Sequence, residues 1–198
     1  MGNYIGTDKN GAAVLGNSAN GVFVAHSPNN TIGGATAAGR NAISANQGSG
    51  VSVLGDDATG NRVLQNSIFA NGGLGIDLGD DGPPNDLKDP DTGANDLQNK
   101  PLLSSAKKNA TGTTTIEGKL NSTPNKTFNI QFFSNPSGTN EGKELLDSRS
   151  VSTDATGNVS FTFSTKKAIR LGQNITATAT SSTGDTSEFS APRKVVAQ

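Results

Sequence analysis

Carboxylates crowd one stretch of this chain. Between residues 77 and 99 stand Asp77, Asp80, Asp81, Asp86, Asp89, Asp91, Asn95 and Asp96, interleaved with glycine and three prolines. The tightest group is Asp89-Pro90-Asp91-Thr92-Gly93-Ala94-Asn95-Asp96. It sets alternating oxygen ligands around a glycine turn, which suits Ca²⁺, an ion that takes roughly six to eight oxygens from flexible backbone. Asp89, Asp91, Asn95 and Asp96 are therefore the candidate calcium ligands. Against an EF-hand loop the glycine sits one place early and the closing bidentate glutamate is missing. The competing reading is a solvated acidic connector, since proline, glycine and asparagine impose an irregular path with or without a metal.

Other chemistry finds few candidates. His26 is the single histidine and cysteine is absent, so disulfides, thiolate metal sites and a zinc centre are not expected. Glycoside hydrolysis needs two opposed carboxylates a few ångströms apart. Asp77 is one acid beside the repeat strands described below, and no second acid faces it. A calcium-dependent lyase needs a base facing acids, and Arg62 is the one basic residue projecting from a repeat strand; a solvated surface role is expected for it. No glycine-rich loop leads into a lysine and a helix as a phosphate cradle requires. With 16 basic and 17 acidic residues there is no basic stripe for nucleic acid. No stretch is long and apolar enough for a membrane-spanning helix. A non-catalytic protein is the expectation.

The elements that would position these residues are repeats. Asn17-Ser-Ala-Asn-Gly21-Val-Phe-Val24, Asn46-Gln-Gly-Ser-Gly50-Val-Ser-Val53 and Asn71-Gly-Gly-Leu-Gly75-Ile-Asp-Leu78 share the pattern N-x-x-x-G-[VI]-x-[VL]. An N-x-I triplet precedes each, at Asn3, Asn41 and Asn66, and a third class comprises Asn30-Thr31-Ile32 and Asn61-Arg62-Val63. Each turn thus holds three short strands, with insertions at corners as a solenoid permits. Alternation places Val22, Val24, Val51, Val53, Ile76 and Leu78 inward, and Phe23, Ser52 and Asp77 outward in one column. Asparagine at the corners suits left-handed backbone and can bond its counterpart one turn on. Asparagine ladders are expected along Asn17/Asn46/Asn71 and Asn3/Asn41/Asn66.

The strings G-N-Y-I-G-T-D at 2–8, N-T-I-G-G at 30–34, R-N-A-I-S-A-N at 40–46 and N-S-I-F-A-N-G-G-L-G-I-D-L-G-D-D at 66–81 resemble a bacterial family of secreted right-handed parallel β-helix repeat proteins. T-S-E-F-S-A at 186–191 is similar to a segment that ends such chains. The resemblance implies a secreted or cell-surface protein and no single activity.

From Leu102 the pattern becomes short alternating strands. Ile116, Gly118 and Leu120; Phe128, Ile130 and Phe132; Val159, Phe161 and Phe163; and Ile175, Ala177 and Ala179 form inward sets separated by turn signals, which reads as an antiparallel immunoglobulin-like β-sandwich. The expected fold is all-β: β-helix turns over 1–81, an acidic Pro/Gly-rich connector over 82–101 and the sandwich over 102–198. The function expected is a structural or adhesive surface module. Its alternative is a carbohydrate-binding or carbohydrate-active protein whose catalytic turns lie upstream. A groove for a surface glycan would show stacked exposed aromatics, and only Tyr4, Phe23 and Phe69 are eligible. Connector and sandwich are the expected cap at one end of the β-helix. The other end opens on Asn3-Tyr4-Ile5 in mid-turn, so further upstream turns or end-to-end self-association are expected there.

Overall fold

Strands of two to four residues, each ending at a glycine or asparagine corner, make up the first part of the chain. The computed structural model describes residues 2–79 and 84–198. The expected boundary at 81/82, with Asp80 and Asp81, lies outside the described residues.

The protein is all-β. The chain makes successive circuits of three parallel sheets. The first circuit comprises β1 (Tyr4–Ile5), β2 (Val22–Ala25) and β3 (Thr31–Gly33); the second β4 (Ala42–Ser44), β5 (Val51–Leu54) and β6 (Arg62–Leu64); the third β7 (Ser67–Phe69) and β8 (Ile76–Leu78). The sheets are β1-β4-β7, β2-β5-β8 and β3-β6. In register, Val22 pairs Val51 and Val51 pairs Ile76, while Ile5 pairs Ile43 and Ile43 pairs Ile68. These side chains share one apolar core with Val24, Val53, Leu78, Ile32 and Val63.

The second half contains β9 (Leu102–Lys108), β10 (Thr114–Asn121), β11 (Thr127–Asn135), β12 (Glu144–Ser152), β13 (Asn158–Thr165), β14 (Asn174–Ser181), β15 (Arg193–Lys194) and β16 (Val196–Ala197). They form two four-stranded sheets, β13-β10-β9-β16 and β12-β11-β14-β15. Pairing is antiparallel except between β16 and β9. Both sheets feed a second core, in which Phe132 stacks on Phe163 at 4.5 Å and meets Phe161 edge-on at 5.6 Å.

Alternation misleads at β11 and β14. Ile175, Ala177 and Ala179 face the core, and the intervening Thr176, Thr178 and Thr180 are buried as well. So are Gln131 and Phe133. This second face is covered partly by the first half of the chain, where Gln131 Oε1 accepts from Gln65 N–H at 3.1 Å, and partly by later loops, where Phe133 meets Phe189 edge-on at 5.4 Å and Thr180 Oγ1 lies 3.0 Å from Thr186 Oγ1. A polar face with complementary donors on its partner can be buried where an unpaired one cannot.

Candidate functional site

The corner asparagines hydrogen-bond from circuit to circuit. Asn3 donates both its backbone N–H and its side-chain Nδ2 to Asn41 Oδ1, each at 3.0 Å, and Asn41 does the same to Asn66 at 3.1 and 3.0 Å. Asn17 donates to Asn46 at 3.1 and 3.0 Å, and Asn46 to Asn71 at 3.2 and 2.9 Å. A third column runs from Asn30 to Asn61 at 2.9 Å for both donors. The left-handed residue at these corners is usually the one before the asparagine: Gly2, Asn29, Ala45, Gly60, Gln65 and Ala70 all have φ between 57° and 69°. The asparagine supplies the hydrogen bonds, and its predecessor makes the bend.

Two of the columns find an acceptor after their last member, while in the third Asn66 Nδ2 turns back to the Ile32 carbonyl at 2.8 Å. Glu141 Oε1 accepts from Asn71 N–H at 3.3 Å and Nδ2 at 2.9 Å. Asn95 Oδ1 accepts from Asn61 N–H at 2.9 Å, while Asn95 Nδ2 donates to the carbonyls of Asn61 and Thr186 at 2.8 and 3.0 Å. Along the free edge of β6, the next outward N–H groups go to Thr186 Oγ1 from Val63 and to Gln131 Oε1 from Gln65. Asp185 accepts from Gly60 N–H and Glu188 from Leu78 N–H. At β7, Ile68 and Gly142 exchange both backbone hydrogen bonds at 2.9 Å.

The apolar stacking continues across the same joint. A Cβ on Gly21 would lie 2.6 Å from Ile43 Cγ2, and one on Gly50 would lie 2.5 Å from Ile68 Cγ2. At Gly75 the equivalent space is taken by the Phe189 ring, 2.7 Å from such a Cβ. Phe189 therefore fills the place of the next isoleucine, as Glu141 fills that of the next asparagine. The second half of the chain imitates one further circuit and seals an edge that would otherwise be open to pairing.

The acidic segment is built into this joint. Asp89 Oδ1 accepts from Asn99 N–H at 3.0 Å; its Oδ2 accepts from Gln98 Nε2 at 2.7 Å and from the Ser122 hydroxyl. Burial raises its pKa to about 6 despite these donors. Asp91 is raised by desolvation, then by the neighbouring Asp86 carboxylate. Asp96 is raised by desolvation and by Asp185. Asn95 is fully buried, with its oxygen turned to Asn61. The four candidate calcium ligands thus divide among three surroundings: Asp89 and Asp91 lie near Asp86, Asp96 faces Asp185, and the Asn95 oxygen accepts from Asn61 N–H. Among the described residues no cluster of three or more Asp, Glu, His or Cys is arranged to hold a metal. The segment is packed at its end and open before it: Gln98 and Asn99 are buried, whereas Leu87, Lys88, Pro90, Thr92 and Asp96 are exposed.

The remaining candidates are scattered. Arg62 donates to the Thr183 carbonyl at 3.0 Å and lies against Gly184, so it belongs to the joint rather than to a free surface. Ser52 is fully buried although it alternates outward, and Ser49 donates to Asp77 Oδ2 at 2.9 Å. His26 Nδ1 pairs with Asp57 at 2.8 Å in the open. Tyr4 and Phe23 are 54% and 57% exposed but lie on different sheets, and Phe69 lies beneath the Lys143 ammonium, 4.6 Å from its ring centroid. The joint itself was invisible as a motif. Glu141, Asp185, Glu188 and Phe189 occur once each, without a periodic signal; the string T-S-E-F-S-A, which carries two of them, was the one visible pointer.

No family model matches the sequence, and no curated protein matches it. Among solved structures, a β-glucosidase from Listeria innocua in complex with glucose matches 50% of this chain at 14% identity, with a TM-score of 0.30. The match spans 16% of that enzyme's length. Among the described residues no helix is long and apolar enough to cross a membrane.

Proposed function

We propose that the chain is a right-handed parallel β-helix closed at one end by an immunoglobulin-like β-sandwich, and that it serves as a non-catalytic structural or adhesive module of a secreted or cell-surface protein. One observation carries this reading: the buried carboxylates are all engaged in the joint. Glu141, Asp185 and Glu188 are the buried acids among the described residues. Glu141 and Glu188 accept from the third circuit and Asp185 from the second, and Glu188 also pairs with Lys100 at 2.7 Å. Carboxylates held this way fasten one half of the chain to the other and are not free to act on a substrate. Surface exposure accords with the absence of cysteine and the polar, glycine-rich composition.

The test is calorimetric unfolding of the full chain together with a glycan-array screen. A structural module gives one cooperative transition spanning both cores and no saturable glycan binding. Two separated transitions would refute the single rigid unit. Saturable binding of a glycan would replace the reading with a carbohydrate-binding one.

A further inference from the structure

The asparagine columns have a direction. At every step the upstream residue is the donor and the downstream Oδ1 the acceptor, from Asn3 to Asn41, from Asn17 to Asn46 and from Asn30 to Asn61. At the far end Glu141 meets the Asn71 amide and Asn95 the Asn61 N–H, while the Asn61 and Asn66 amides go to the Ala58 and Ile32 carbonyls. At the near end, among the described residues, nothing donates to Oδ1 of Asn3, Asn17 or Asn30. The core is open on the same side. Ile5 and Val22 are only partly buried, whereas Ile43 and Ile68 beneath the one, and Val51 and Ile76 beneath the other, are 0–2% exposed. Polar and apolar features thus converge on one face: three acceptors at the corners around an apolar centre that is covered only in part, with Ile5 and Val22 half-buried beside Val24 and Ile32 at 8% and 9% exposure.

We propose that this face receives one further three-strand turn of a polypeptide of the same repeat type, in parallel register, with asparagine donors at its three corners. The inference rests on reading the first half as stacked turns. It commits to a donor-bearing turn because the acceptors require one: two copies meeting by this face would oppose oxygen to oxygen at all the corners, and the other end of a second copy is sealed by its own second half. End-to-end pairing of identical chains is therefore the wrong match for this edge. Buried acceptors left without donors oppose association, and the same acceptors met by amides fix its register.

The test adds such a turn. A copy of Asn41–Gln65 is placed directly before Asn3, replacing residues 1–2, so that the copied Gln65 enters Asn3 as Gln65 enters Asn66. The local backbone suits the junction, since Gly2 and Gln65 have φ of 68° and 58°. The extended protein should melt several degrees higher and resist proteolysis within the added turn. Asn→Asp at the copied counterparts of Asn41, Asn46 and Asn61 should abolish both gains. An added segment that is cut as fast as an unstructured tail and leaves the melting temperature unchanged would overturn the proposal. So would light scattering that shows the unextended chain dimerising through this face, with the extension abolishing the dimer. Failure of the underlying stacked-module reading would appear separately, as two transitions in the unextended chain.

Discussion

Glu141 Oε1 receives both the backbone N–H and the side-chain amide of Asn71, 70 residues away in sequence. It occupies the place of an asparagine oxygen one circuit further on. Removing it by Glu141→Ala should cost about 2 kcal/mol or more, because two partly buried donors lose their acceptor. Glu141→Gln keeps an oxygen in place and should cost clearly less. Urea unfolding of both variants decides it: equal losses would mean that side-chain volume, not the acceptor, matters.

Asn46 has both ends of its amide engaged, accepting from Asn17 and donating to Asn71 Oδ1 and the Ser44 carbonyl. Asn46→Asp keeps the acceptor, removes the donors and sets a carboxylate against two oxygens. We expect a loss of about 3 kcal/mol near neutral pH. Part should return near pH 4, where the new carboxyl is protonated and can donate again. Thermal melts of this variant that show no pH dependence beyond the parent's would contradict the assigned direction of the column.

Backbone conformation and packing make opposite demands at neighbouring corners. Ala70 has φ of 57°, so Ala70→Gly should relieve left-handed strain and stabilise by roughly 0.5–1 kcal/mol after glycine's entropic cost. At Gly50 a Cβ would sit 2.5 Å from Ile68 Cγ2 and 2.7 Å from the Gly75 carbonyl oxygen, so Gly50→Ala should destabilise by about 3 kcal/mol. Denaturant midpoints that move in the same direction for both variants would disprove this division.

Asp89 ties the acidic segment to the second half through Ser122, Gln98 and Asn99. Its pKa rises on folding from 3.8 to about 6, chiefly by burial. Between these values the folded state holds more protons than the unfolded state, so this group's contribution is fully present below about pH 3.8 and is lost as pH rises through 6. Glu141 is raised by burial as well and acts in the same direction. Asp8, held low by backbone N–H groups, and Asp154, held low first by the Thr156 hydroxyl and then by backbone N–H groups, act oppositely: their contribution is lost as pH falls below the ordinary carboxylate range. Asp89→Asn should therefore flatten the fall in melting temperature between pH 4 and 7. Parallel profiles for parent and variant would exclude Asp89 as its source.

Strand composition made the all-β class legible. The shared G-[VI]-x-[VL] strings pair in the register in which they align, Val22 with Val51 and Val51 with Ile76, because inward positions of a repeating strand must match in size and polarity. The joint was not legible, since it is made once. Gln131, Glu141, Thr186 and Glu188 carry no period, and each meets a partner tens of residues away. The same blindness explains the acidic segment. Sequence shows carboxylates close along the chain, whereas the fold turns Asn95 inward to Asn61, Asp89 to Ser122 and Asp96 toward Asp185. The buried threonines of β14 were not legible for a related reason: alternation distinguishes two faces but does not say what covers the second.

The imitation of a circuit by Glu141, Gly142, Asn95 and Phe189 makes the molecule a ruler. The cap touches the last strand of each stacked sheet, β6, β7 and β8, and is almost indifferent to what precedes them. Deleting Asn3–Arg40 would remove one graduation, about 4.8 Å of height, and leave Gly60, Asn61, Val63, Gln65, Asn71 and Leu78 with their capping partners; of the contacts to the second half only that of Arg40 with the Lys143 carbonyl would go. Length and closure are thus set by different parts of the sequence, so whole graduations can be gained or lost while the end piece stays unchanged.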